Sequence, residues 1–369
     1  MAEGLRIIPG DNSPAIELTA GGARCPSFLT RKQVIYDDHG NVNFAHGAKP
    51  VAGSQLFVTL ENNIDIFPDS ISLLPNIVAV TALSANATNI TGKVLTNLRG
   101  KRNYIGYCNL YQVLPAQTQG FDGKDGKRYG ISLQNSTNFF EITDAATVGQ
   151  VIYKNRVNLN STWEVPVVTG YPDRTKYIVF AQWNRADRFI DYDASTHKIT
   201  AMRHPGGKTG HAVNADCAIN VVIFCNGAAP TPHNGGVTIR NAKGECTFST
   251  AKTPFLMKQW VNIPAGRGSR SPYGINTSIA KPMVPLGRTG IYIEAPDGMG
   301  SNKWIYYSYA CLAMAGNRVQ QGIGSKVYQQ TAQYGDPLGA NSEGQTYFNF
   351  GMQFPVLDAT NYFQPNEIL

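Results

Sequence analysis

Four carboxylates, Asp187, Asp191, Asp193 and Glu294, are the residues best suited by type to acid–base work. Two carboxylates facing each other across a sugar can cleave a glycosidic bond. Asp191 and Asp193 share one face of a strand, about 7 Å apart by strand geometry. Ile190 and Tyr192 alternate with them as the buried side, so the two aspartates read as solvent-facing polar groups. Gly206-Gly207-Lys208-Thr209 resembles the end of a phosphate-binding loop. That motif needs a Gly where Met202 stands and a helix afterwards, whereas Gly210-His211-Ala212-Val213 leads toward a strand. His204, His211 and Asp216 fall short of the three or four convergent ligands a metal requires. His39 and His46 read as turn and surface residues. Asp122-Gly123-Lys124-Asp125-Gly126 lacks the alternating carboxylates and distal Glu of a calcium loop and reads as a turn. Gly266-Arg267-Gly268-Ser269-Arg270 is not a nucleophile elbow. No catalytic residue, cofactor site or metal site is expected.

The elements that position these residues read as strands. Leu56-Phe57-Val58-Thr59-Leu60 alternates, and Tyr177, Val179, Ala181 and Trp183 share a face. Cys217, Ile219, Val221, Ile223 and Cys225 form the buried face of another strand, and Phe348, Phe350, Met352 and Phe354 of a third. Phe189 to Met202 reads as a hairpin turning at Ala194-Ser195-Thr196-His197, and Gly290 to Ala310 as one turning at residues 297–302. No long segment has a helical stripe, and one short helix is expected between Asp144 and Tyr153. The fold class is all-β: several short-stranded sandwich or barrel-like units. Val165 to Asp173, with Pro166, Gly170 and Pro172, is the expected boundary, giving an N-terminal region 1–168 (with a sub-piece 1–50) and a C-terminal domain 169–369.

Charged residues make up only 15% of the 369, and the net charge of +7 is spread thinly. The densest basic groups, Arg99 to Arg102 and Lys124 to Arg128, are too short for a nucleic-acid stripe. The six cysteines form no C-x-x-C pair. Cys217 and Cys225 lie too far apart along one strand to bridge, so buried reduced thiols are expected. The start of the chain has no signal-peptide pattern and no apolar run is long enough to span a membrane, so cytoplasmic synthesis without membrane insertion is expected.

One pattern occurs twice. Val34 to Phe44 holds Gly40 four residues before Phe44, with Pro50 six residues later. Val237 to Phe248 holds Gly244 four residues before Phe248, with Pro254 six residues later. Both read as β-hairpins whose Gly takes a positive φ. Their turn residues before the Gly are unlike, and Cys246 stands where the first copy has Val42. The pattern resembles a hairpin that recurs in tail and tail-tip proteins of tailed bacteriophages. Gly4 to Ile7, Ile16 to Ala20 and Arg24 to Phe28 resemble the opening of such proteins. The resemblance spans about 50 residues at the start and 20 in the second half, and brings no catalytic residues with it. It implies a virion component near the distal end of a tail, oligomeric in the assembled particle. The implied partners are other tail proteins and a bacterial surface receptor or glycan. A glycan-degrading tail enzyme and a capsid decoration protein are the alternatives.

Two further surfaces stand out. The Gly-rich turn with Asp297, Met299, Asn302, Lys303 and Trp304, followed by Tyr306, Tyr307 and Tyr309, suits a recognition loop, because Tyr and Trp give stiff amphipathic contacts. Tyr362, Phe363, Ile368 and Leu369 put large apolar groups on a segment that would otherwise fray, so it is expected to dock on a neighbouring subunit or domain.

Overall fold

The computed structural model describes residues 4–19, 24–61, 64–67, 76–96, 106–114, 130–135, 138–143, 147–205, 211–241, 243–267, 273–295, 304–331 and 344–369. Their regular elements are antiparallel strands, with single-turn 3-10 segments at Arg174–Lys176 and Ala359–Asn361 and no α-helix among the described residues. The chain is all-β, and no described sheet closes into a barrel.

Alternation in the N-terminal strands builds a sandwich. A three-stranded sheet, in the order Ser27–Gln33, Tyr107–Val113, Gln55–Leu60, faces a four-stranded one, in the order Asn41–Ala45, Asn89–Thr96, Asn76–Ala85, Ile64–Phe67. Val58, Leu110, Val78, Val80 and Ile90 meet between them. The alternate residues point the other way. Phe57, Tyr111 and Val113 pack on Ile178, Phe180, Val222 and Phe224, while Ile64, Ile77 and Ala79 pack on Ile291, Ile293, Ile305 and Tyr307. The sandwich is therefore clamped at two places onto a larger sheet to which fourteen strands contribute.

That sheet folds over a core of its own. Val179, Ile219, Val221 and Ile223 on one side meet Ile190, Ile199, Leu312 and Met314 on the other. Strands Tyr177–Gln182 and Asp216–Cys225 are thus buried on both faces, which explains their unbroken apolar runs. The hairpins expected at 189–202 and 290–310 form with Phe189 opposite Met202 and Gly290 opposite Ala310.

Two expectations are corrected, the short helix between Asp144 and Tyr153 and the surface placement of His46. Residues 151–153 belong to strand Val151–Asn160, not to a helix, and Val148 and Gln150 make single bridges to Ser27 and Pro254. The break expected at 165–173 is crossed by ladders, since Val151–Asn160 pairs with Asp216–Cys225 and Thr162–Glu164 with Lys198–Arg203. The proline and glycine there make a local turn, with a Val168–Tyr171 bridge and Gly170 at φ +85°. Sheet membership changes instead between Asn138–Thr143 and Val151–Asn160. His46, expected at the surface, is 1% exposed, its Nδ1 accepting from the Ala48 N–H at 3.1 Å and its Nε2 lying 3.2 Å from the Asn86 carbonyl.

The two repeated turns are built alike, although their residues differ. In the first, Gly40 N–H donates to Asp37 O and Asp37 N–H to Asn41 O, while the Asp37 carboxylate accepts from the N–H groups of His39 and Asn41. In the second, Gly244 N–H donates to Asn241 O and Asn241 N–H to Glu245 O, while Asn241 Oδ1 accepts from Lys243 and Glu245. A short polar side chain three residues before the Gly thus holds each turn. Both glycines are left-handed, at φ +73° and +80°. The first is followed by one bridge, Tyr36 to Val42, and the second by the ladder Thr238–Arg240 with Cys246–Ser249. A Cβ on Gly40 would lie 2.6 Å from Val94 O, whereas one on Gly244 meets nothing. Gly244→Ala is expected to cost about 1 kcal/mol of backbone strain. Gly40→Ala should cost about 2–4 kcal/mol because overpacking is added. Urea unfolding of the two variants checks the difference, and equal costs would contradict the packing around Gly40.

All six cysteines are buried and none is in a disulfide. Burial pushes the thiols of Cys25 and Cys108 up to about 12 and that of Cys217 up to about 11. The thiolate is the reactive form, so the native chain is expected to react slowly with a disulfide reagent at pH 8. All six should react once guanidinium is added. Fast native reaction of several thiols would contradict the packing.

Candidate functional site

Residues 296–303, with Asp297, Met299, Asn302 and Lys303 of the expected recognition loop, lie outside the described residues. Trp304 opens strand Trp304–Ala315, with its backbone opposite Thr331. Below the expected recognition loop, strand Gly290–Ala295 runs between Trp304–Ala315 and Gly344–Asp358. One face of these strands carries Ile291, Ile293, Ile305 and Tyr307 toward the N-terminal sandwich, so the inward half of the aromatic run is core.

The opposite face is polar and closed. Tyr292 lies opposite both Ser308 and Tyr347, and Glu294 follows two residues along the same face. Met202, Ala212 and Ile323 pack over Tyr292 and Tyr347. Glu294 is 1% exposed, with His204 Nε2 3.9 Å from its Oε1. The Tyr292 hydroxyl and Ser308 Oγ are buried without a hydrogen-bond partner. Burial, then the neighbouring Glu294, raises the Tyr292 phenol well above its ordinary range. The His211 ring lies against Tyr306, centroids 5.4 Å apart. Burial leaves no substrate access to Glu294. Sequence reasoning missed this cluster. The available signal was a Tyr-x-Glu pair on a strand whose other face is wholly apolar.

The remaining carboxylates are tied up. Asp187 is bound by Arg185 at 2.9 and 3.0 Å and by Arg188, and the Arg185 hydrogen bonds hold its carboxyl below the usual range. Asp191 is corrected from solvent-facing to buried, at 2% exposure. Its Oδ1 accepts from Arg288 Nε at 3.3 Å and its Oδ2 from Ser325 N–H at 3.0 Å. The Arg288 guanidinium lies 3.5 Å over the Tyr309 ring and 3.8 Å from Asp193. Asp193 also caps its own turn through Ser195. The physical reason is layering: Gly322 and Gly324 of strand Arg318–Thr331 let Phe189 and Asp191 lie directly on it, so neither face of this hairpin meets bulk water at Asp191. One arginine holds both aspartates, which removes them as a facing catalytic pair.

The segment expected to dock on a neighbouring subunit or domain packs within its own chain. Tyr362 is fully buried, its hydroxyl donating to Pro254 O at 3.1 Å and accepting from Leu256 N–H at 3.0 Å. Phe363 is buried and Ile368 partly buried in the core shared with Phe180 and Phe224. Leu369 O accepts from Gln182 and Lys281 at 2.8 and 2.9 Å.

Residues 206–210, 122–126, 99–102 and 268–270 lie outside the described residues. Asp216 is bound by Arg188, away from His204 and His211. Among the described residues, no three His, Cys, Asp or Glu side chains gather to hold a metal ion, and no helix is long and apolar enough to cross a membrane.

No curated protein and no solved structure matches the chain. A family model described as "Family of unknown function (DUF6453)" matches residues 4–332, most of the chain's length, and the chain therefore belongs to the DUF6453 family.

Proposed function

We propose that the chain is a structural component of a bacteriophage tail, at or near its distal end. In this reading the N-terminal sheets face the tail and the loops of the second half face the host surface. The observation that carries it is the pair of repeated hairpins. The pattern that resembles tail-tip proteins is matched by a shared turn, with the same four hydrogen bonds around Gly40 and Gly244. The ion-paired carboxylates and the buried Glu294 favour a structural role over glycan hydrolysis.

Deleting the chain from a phage that encodes it tests the reading. Particles should then have filled heads with tails that are incomplete or fail to adsorb. Normal, infectious particles would contradict it, and intact tails with unstable heads would point to capsid decoration instead.

A further inference from the structure

A cleft of about 90 Å³ lies where the N-terminal sandwich meets the large sheet. Glu61, Arg174, Tyr192 and His197 are among the polar side chains that line it. Glu61 follows strand Gln55–Leu60, Arg174 opens a 3-10 turn, Tyr192 lies on strand Arg185–Asp193, and His197 lies in the turn that follows. Leu286, Leu312 and Phe354 form an apolar floor, and the exposed Thr175 and Gln353 stand at the mouth.

Two observations mark the cleft as more than a packing gap. Tyr192 lines the cleft, and no hydrogen bond among the described residues engages its hydroxyl. That hydroxyl can both donate to and accept from a bound molecule. His197 takes the left-handed conformation, φ +56°, at a turn position where Gly or Asn would fit without strain. Its Nδ1 is buried without a partner. Strain retained in a side chain that faces a cleft is a recurrent mark of a binding site.

The charges of the lining are balanced in advance. Glu61 is bound by Arg31 at 2.6 and 2.7 Å and by Asn109 at 3.2 Å. Arg174 donates to Glu164 at 2.7 Å and to Val165 O at 2.8 Å, leaving its other N–H groups for a ligand. An ionic ligand would meet no uncompensated charge, and a wholly apolar one would bury four polar groups for nothing. The lining suits a neutral molecule with hydroxyls on one edge and C–H groups on one face. The space is several times that needed by one water, so the hydroxyl edge of a ring enters and the rest stays at the mouth.

We propose that this cleft binds one residue of a neutral glycan, hydroxyl edge inward, with Tyr192, Glu61, Arg174 and His197 as its polar contacts. The inference does not rest on the tail assignment, because the purified chain alone should bind.

Saturation-transfer NMR on the full chain tests it, with glucose, galactose, mannose and N-acetylglucosamine as neutral probes and N-acetylneuraminic acid as an anionic one. At least one neutral sugar should show transfer, and the anion none. Tyr192→Phe should weaken binding about tenfold, the loss of one hydrogen bond, with no loss of thermal stability because that hydroxyl has no partner to lose. Ala194→Leu, which fills the wall beside Tyr192, should abolish binding in a folded chain. Absence of binding by every neutral sugar, a preference for the anion, or binding unchanged in both variants would overturn the proposal.

Discussion

Asp191→Ala is expected to destabilise the fold by about 3–5 kcal/mol, the usual cost of breaking a buried ion pair by removing one partner. Arg288, whose side chain is 11% exposed, would lose this carboxylate while lying over Tyr309 and 3.8 Å from Asp193. The Ser325 N–H would lose its acceptor as well. The loss is large against the 5–15 kcal/mol total of an ordinary domain. Replacing the pair together, Asp191→Leu with Arg288→Met, should recover much of it, because a desolvated pair gains little over apolar groups of similar volume. Urea unfolding of the three proteins measures this. A cost below about 1 kcal/mol for Asp191→Ala would match an exposed ion pair and would contradict the burial described here.

Tyr362→Ala should cost a similar amount, about 3–5 kcal/mol for a large aromatic removed from a core. The ring is fully buried, edge-on to Phe224 with centroids 6.0 Å apart. Tyr362→Phe isolates the hydroxyl and should cost about 1–3 kcal/mol, since the Leu256 N–H is left unsatisfied. Both losses should be independent of protein concentration, because the segment packs within its own chain. A loss that vanishes on dilution, or that appears only in assembled particles, would return the segment to docking between subunits.

Strand positions were legible because alternation marks strands with one buried face and unbroken apolar runs mark strands buried on both. Gly290 opposite Ala310 and Phe189 opposite Met202 follow from turn residues alone. The location of each strand's second neighbour was not legible. Asp191 alternates correctly with Ile190 and Tyr192, but alternation implies water on the other face only in a two-layer structure. Here a glycine-bearing strand covers that face. Val165 to Asp173 carries the composition of a linker, and a tight turn inside one sheet has the same composition. The shared turn chemistry of Asp37 and Asn241 was present in the sequence. It was hidden because the residues between them and the glycines differ, while the holding side chain sits three positions earlier. The cleft at Tyr192 could not be read at all, since its walls come from segments far apart in the chain.

The tail assignment is tested most directly by immuno-gold electron microscopy of purified virions, with antibody raised against this chain. Gold at the distal end of the tail is the expected result. Gold on the head, or on no part of the particle, would contradict it.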